Sequence, residues 1–306
     1  IEDQSEDDKQ LAEHILQWVL FAVRPLSLNE LQEALAVEED SDGVDKTNIL
    51  DADLLTSVCA GLVIVDWNSN VVRLVHFSVQ EYFKRVRSTR FPTAQYYIVR
   101  TCLTYLSFDE FAAGPCSDKD TTALRIQQHH LLSYAAEHWG DHAYGNLEKE
   151  LENEILEFFK KEGNLSSSVQ IIHSNPHTNW YQGHPTHFPK DITGLHIAAH
   201  FGLEHIATIL LERGANAMAR DSLGATALHE AAEGGHENVV RLILENGANI
   251  EAQDLRGHTA LHRAATGGSR AVVLLLLNKG AKISKAVEYV LFIVKTSLLQ
   301  IGVATY

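Results

Sequence analysis

DSLGATALHEAAEGGHENVVRLILENGANIEAQ, residues 221–253, is one copy of a repeated unit. The next copy opens at Asp254 as DLRGHTALHRAATGG, and an earlier one reads ITGLHIAAHFG from Ile192. His196, His229 and His262 mark the phase at intervals of 33 residues. Thr193/Thr226/Thr259, Leu195/Leu228/Leu261, Ala198/Ala231/Ala264 and Gly214/Gly247/Gly280 keep the same interval. Self-similarity at a fixed period of this length indicates a solenoid, in which single units cannot bury their own apolar faces and must stack on their neighbours.

The unit explains itself physically. Thr226 and His229 can bond locally at the start of a first helix and satisfy its orphan donors. Ala231 and Ala232 are small enough for paired helices to approach closely, and Gly234-Gly235 stops the first helix. Val239, Val240, Leu242, Ile243 and Leu244 supply the buried face of a second helix, which Gly247 ends; residues 249–254 then turn into the next unit. The stretch resembles an ankyrin repeat, whose T-x-L-H-x-A-A…G-A-N pattern it follows nearly throughout.

The 306 residues carry a net charge of −15, with 45% hydrophobic and 21% charged residues, a composition of ordinary soluble domains and long enough for two or three of them. The acidic balance argues against nucleic acid and anionic membrane as partners. Cys59, Cys102 and Cys116 lie far apart with no C-x-x-C pairing, so neither a disulfide framework nor a thiolate zinc site is expected, and a reduced, cytoplasmic setting fits best. The N-terminus is acidic, unlike a signal peptide, and no apolar run reaches spanning length; residues 289–294 come nearest before Lys295 closes them. An initial Ile in place of Met suggests a fragment or processed piece.

Ahead of the repeats, residues 1–10 form an acidic lead-in, and Leu11, Ile15, Leu16, Val19, Leu20 and Val23 recur at helical spacing up to Pro25. Ser27-Leu28-Asn29-Glu30 is a capping box opening a second helix, residues 38–45 an acidic loop, and residues 49–60 a third helix. Residues 62–67 and 71–76 flank Asn68-Ser69-Asn70 as a hairpin, and Ser78-Val79-Gln80-Glu81 reads as another capping box. Three helices and a two-stranded wing make a winged helix. ILQWVLFAVRPLSLNELQEALAV, LLTSVCAGLVIVD and VRLVHFSVQEYF resemble the winged-helix segment that follows the NACHT nucleotide-binding domain in fungal STAND proteins, a segment labelled after a GPI inositol-deacylase. CLTYLSF and LLSYAAEHWGDHA continue that resemblance into a helical connector.

A winged helix invites a DNA-binding reading. Residues 1–90 hold 17 Asp and Glu against 8 Lys and Arg, and the third helix carries Asp51 and Asp53 with no basic residue. A recognition helix needs Arg, Lys, Asn or Gln facing the groove. The basic run Lys84, Arg85, Arg87 and Arg90 reads as a solvated helix face.

Residues 94–106, 121–139 and 147–161 read as connector helices, with Leu131, Tyr134, Ala135 and Trp139 as contacts between them. Residues 164–190 break the pattern with Ser166-Ser167-Ser168 and three prolines, and read as a linker. The expected architecture is mainly α: a winged helix over residues 10–90, a helical connector over 91–162, a linker over 163–187, ankyrin repeats over 188–285, and a degenerate or truncated further repeat over 286–306.

Candidate chemistry is sparse. His173, His177, His184 and His187, with His129 and His130 upstream, follow no compact zinc pattern and no cysteine completes one, so no metal is expected. There is no G-x-x-x-x-G-K-[ST] phosphate loop and no G-x-S-x-G elbow; Gly267-Gly268-Ser269-Arg270-Ala271 lacks the second glycine. The chain is expected to be no enzyme and to carry no cofactor. The resemblance implies instead that partners contact the hairpin tips and the exposed side of the first helices. Here those are Arg220, Ser222, Leu223, Gln253, Leu255, Arg256 and His258 at the tips, and His200, Glu230, Glu233, Arg263 and Thr266 on the helices. The expected function is a protein-interaction scaffold: the array docks or senses a protein, and the winged helix couples to an upstream nucleotide-binding domain. The alternatives are a lipid-anchor hydrolase fragment, suggested by the family label alone, and a DNA-binding winged helix protein. At the C-terminus a repeat in phase would put Thr where Phe292 stands, and the apolar run around it suggests that further repeats follow, so that the fragment alone self-associates through residues 286–306; the alternative is that this tail folds back on the third repeat as a cap.

Overall fold

The computed structural model describes residues 4–39, 41–174 and 188–283. Its described residues fall into two compact units. One holds those of Ile1–Ala143 and Asn153–Phe188, the other those of Tyr144–Glu152 and Pro189–Tyr306.

The first unit opens with α1 (Glu6–Phe21), which starts earlier than the apolar spacing predicts. Ser5 Oγ accepts from the Asp8 amide at 3.2 Å, and Glu6, Asp7 and Asp8 place carboxylates where the helix N-terminus favours them. The acidic lead-in is therefore the first turn of the helix. The capping box expected at Ser27 and Glu30 opens α2 (Leu28–Leu35). Glu30 also receives both arms of Arg24, at 2.6 and 3.1 Å. The third helix, α3 (Ala52–Val58), is shorter than the predicted 49–60, because Asp51 caps it and Ala60 and Gly61 turn into positive φ. β1 (Val63–Asp66) and β2 (Val71–Leu74) pair antiparallel, Val63 opposite Leu74 and Asp66 opposite Val71. On its other side β2 receives Ser27 as a bridge, with Val72 N–H donating to the Leu26 carbonyl at 2.9 Å. Next comes α4 (Phe77–Arg90). Its cap is not the predicted Ser78 but His76, whose Nδ1 accepts from the Ser78 amide at 3.1 Å.

α5 (Ala94–Leu106) follows where residues 94–106 were expected to be helical. The single helix predicted over 121–139 is two, α6 (Lys119–Gln128) and α7 (Leu132–Ala143). The break has a cause outside the segment. The buried carboxylate of Glu33 accepts from His130 N and Leu131 N, both at 3.0 Å, and from the Tyr105 hydroxyl at 2.5 Å. Amides drawn to a carboxylate cannot also serve an unbroken helix. A second buried link joins Tyr134, whose hydroxyl accepts from Val23 N at 3.0 Å and lies 2.7 Å from His142 Nε2. These ties bind the winged helix and the connector helices into one core, with Trp18 edge-on to Tyr134 at 5.7 Å.

Residues 147–161 likewise form two helices, α8 (Leu147–Glu150) and α9 (Glu152–Lys160). The predicted linker is helical through Ser174, as α10 (Glu162–Ser174), and Asn164, Ser167, Ser168 and Gln170 are buried in it. Asn164, Ser167 and Gln170 find partners. Asn164 Nδ2 donates to the Leu106 and Phe108 carbonyls at 2.9 and 2.8 Å, which satisfies the open end of α5. Ser167 Oγ accepts from Arg125 at 2.9 Å, and Gln170 bonds both backbone groups of Cys116. At Gly163 a Cβ would sit 2.0 Å from the Ala112 carbonyl oxygen, so glycine permits this close approach. The remainder of the predicted linker, with His177, His184 and His187, lies outside the described residues, as does the C-terminal tail from residue 284.

The second unit is the repeat array: α11 (Gly194–Phe201) with α12 (Glu204–Glu212), α13 (Ala227–Gly234) with α14 (Glu237–Glu245), and α15 (Ala260–Thr266) with α16 (Arg270–Asn278). First helices pack on first helices and second on second, giving two layers. Ala198, Ala199, Ala231, Ala232, Ala264 and Ala265 are all buried between them, as their small size requires. On α14 Val239, Val240 and Ile243 are buried, whereas Leu242 and Leu244 are only half-buried. Gly214, Gly247 and Gly280 have φ of 90°, 85° and 93°, the left-handed turn expected at each repeat end. Ahead of the first repeat, α8 packs on α12, and the Glu148 carboxylate accepts from His205 N at 2.8 Å and Ile206 N at 3.2 Å. This carboxylate caps the free amides of the array's first outer helix.

Candidate functional site

The site is built by the turns and first helices of the array. At two successive turns an aspartate organises the backbone. Asp221 accepts from Leu223 N at 2.9 Å and Ala225 N at 2.7 Å; Asp254 accepts from Arg256 N at 2.9 Å and His258 N at 2.8 Å. Burial pushes the Asp221 carboxyl up to about 6 against the pull of those amides. Successive turns are laced together: Ser222 N donates to the Lys190 carbonyl and Leu255 N to the Leu223 carbonyl, both at 2.9 Å, while Arg220 donates to the Gln253 carbonyl.

The framework histidines carry the same lacing inward. Nδ1 of His229 accepts from Thr226 N at 3.1 Å, which leaves the proton on Nε2, and Nε2 lies 3.0 Å from the His258 carbonyl of the next repeat. Burial lowers the pKa of His229 and of His196, consistent with neutral rings in this tautomer. His196 repeats the geometry more loosely, with Nε2 3.4 Å from the Ala225 carbonyl. The third copy keeps the cap alone, His262 N donating to Thr259 Oγ1 at 3.4 Å.

The partner-facing residues expected from the sequence divide. Arg220, Ser222, Gln253, Leu255, Arg256 and Thr266 are exposed, Leu255 at 75%. Leu223, His258 and His200 are half-buried. Glu230 and Arg263 are buried and Glu233 is mostly so, which corrects the expectation that they lie on the exposed, partner-facing side of the first helices. They form a chain of contacts across repeats. His200 Nδ1 lies 3.4 Å from Glu230, Arg263 reaches Glu233 at 2.8 Å and Asp254 at 2.7 Å, and His258 Nδ1 lies 3.6 Å from Asp254. Burial raises the Glu233 carboxyl to about 7 although Arg263 opposes it. At Asp254 burial is outweighed by Arg263 and the His258 amide, which hold the carboxyl below its ordinary value. Sequence reasoning missed Met218, a turn residue that is 56% exposed.

Among the described residues, no three His, Cys, Asp or Glu side chains gather as a metal-holding group, and His173 Nδ1 lies 2.8 Å from the Val169 carbonyl. No described helix is long and apolar enough to cross a membrane.

Residues 160–254 and 195–286 match the family model described as ankyrin repeats (3 copies). The array is an ankyrin repeat domain. Residues 3–91 match the model described as GPI inositol-deacylase, winged helix domain. The chain is 31% identical over 159 residues to the azaphilone pigments biosynthesis cluster protein L of Monascus ruber, an alignment covering 46% of this chain and 33% of that protein. It thus spans about a third of the length of that curated relative. The crystal structure of the human ASB11 ankyrin repeat domain is 28% identical, with a TM-score of 0.31, covering 35% of this chain and 54% of that one.

Proposed function

We propose that this chain is a protein-interaction scaffold whose ankyrin array docks a partner along its turns, through Arg220, Ser222, Leu223, Gln253, Leu255, Arg256 and His258. The observation that carries this reading is the division of the expected surface. Arg263, Glu230 and Glu233 are largely buried among contacts between repeats, whereas the side chains of Leu255, Met218, Arg256 and Arg220 are exposed on the turns. Exposed apolar side chains flanked by arginine are the type of group that anchors protein interfaces. In the same proposal the winged helix and its fused connector relay docking to an upstream nucleotide-binding domain, and the protein works in the cytoplasm. Support for the relay is the set of hydrogen bonds among Glu33, Tyr105, His130, Tyr134 and Val23, which ties the winged helix and connector into one compact unit. Support for the setting is three free thiols, of which Cys59 and Cys102 are buried; burial raises both pKa values, Cys59 to about 12.

The test is affinity capture with the chain and with a Leu255→Asp, Arg256→Glu variant, compared by quantitative mass spectrometry. Proteins retained by the wild type and lost from the variant support turn docking. An identical set retained by both rules it out.

A further inference from the structure

The winged helix presents a groove of about 640 Å³ between the last turn of α1, β2 and the start of α4. Its floor is apolar, with Leu26, Leu31 and Val72 buried beneath it. Its lip carries two apolar side chains in the open, Val75 at 41% and Phe77 at 67% exposure. Isolated apolar groups on a surface need no explanation, but two bordering one groove do.

The residues that line this groove reverse the chain's charge balance, although carboxylates of Glu30, Asp66 and Glu81 stand just outside it. Asp and Glu outnumber Lys and Arg by 40 to 25 overall. Among the described residues lining the groove there is no Asp or Glu, and four are Lys or Arg. Arg24 is committed to Glu30. The other three form an exposed rim. Arg73 stands on β2, with Asp66 at 3.6 Å. Lys84 lies 6.0 Å above the Phe77 ring and contacts Glu81, while Arg87 lies 5.2 Å above Phe21 and donates to the Leu20 carbonyl at 2.7 Å. These contacts hold the cations at the rim while leaving their side chains exposed.

We infer that this groove docks an acidic amphipathic helix of a protein partner. Strand addition does not fit, because around Val71 and Val72 β2 is paired with β1 on one edge and with residues 26–28 on the other. A helix does. Apolar anchors one turn apart enter a groove of this kind, and flanking carboxylates meet cations on both walls. A nucleic acid would be read through the third helix, and α3 carries Asp53 and no basic residue. The inference concerns the winged helix and stands apart from partner docking at the ankyrin turns.

The test is differential selection from a display library of randomised helical peptides on the full chain and on two charge-reversed variants. One variant is Lys84→Glu with Arg87→Glu, the other Arg73→Glu. All replaced residues are exposed, and an unchanged melting curve shows that each variant folds. Phosphatidylserine vesicles and a DNA duplex are run in parallel. Peptides selected by the wild type are expected to carry apolar residues at helical spacing flanked by Asp or Glu. Labelled copies should bind each variant roughly tenfold or more weakly and weaken with salt. The inference is overturned by peptides that bind wild type and variants alike, by selected peptides without carboxylates, or by variant-sensitive capture of vesicles or DNA with no acidic peptide enriched.

Discussion

Replacing Arg263 by Met tests the cross-repeat ion network most directly. Arg263 is buried, with Glu233 at 2.8 Å and Asp254 at 2.7 Å, and the Glu230 side chain is buried nearby. Methionine keeps most of the volume and removes the charge. Breaking a buried pair by removing one partner costs about 3–5 kcal/mol, because the remaining carboxylates are stranded. The site has a relief route, since Glu233 already titrates at about 7 in the folded chain and can take a proton. Without Arg263 its folded pKa moves higher still. Between about 7 and that new value, the variant's folded state binds one more proton than the wild type's, so its deficit grows by about 1.4 kcal/mol per pH unit. Below pH 7 both are protonated there and the deficit levels off. Opening free energies from amide exchange in α13 and α15 are the measurement. The expected loss is about 3–5 kcal/mol near pH 8.5 and smaller by about 1–2 kcal/mol near pH 7. A loss below 1 kcal/mol at the higher pH, or one independent of pH, would refute the reasoning.

Gly247→Val should destabilise the array by about 1–2 kcal/mol through backbone strain, since Gly247 sits at φ 85° and nothing lies within 4 Å of an added Cβ. Glu245→Ala, on the exposed end of α14, should stay within about 0.5 kcal/mol; equal exchange-derived losses for the two would contradict the assignment. Glu33→Ala should cost the first unit about 3–5 kcal/mol by stranding His130 N, Leu131 N and the Tyr105 hydroxyl, read by urea unfolding on the fluorescence of buried Trp18 and Trp139. A shift no larger than that of Glu39→Ala would remove Glu33 from its structural role. Calorimetry with ATP should show no binding, because the chain lacks a phosphate loop; micromolar affinity would reverse that expectation.

The 33-residue period by itself determined the array: the glycine at each repeat end, the Thr-x-x-His caps and the buried alanine pairs are local or near-neighbour requirements, and they stand where the spacing places them. The hairpin and the capping box at Ser27 were legible for the same reason, since their partners lie within a few residues. Polar residues with distant partners were not legible. Nothing around Glu33 announces that it will receive amides 97 and 98 residues away, and it is that contact which splits α6 from α7. Ser167, Ser168 and Gln170 read as a linker because serine and glutamine are usually solvated; the tertiary structure buries them in α10, where Ser167 meets Arg125 and Gln170 meets Cys116. Arg263 and Glu233 read as open helix face because charge is costly to bury, and only their pairing across 30 residues of sequence offsets that cost.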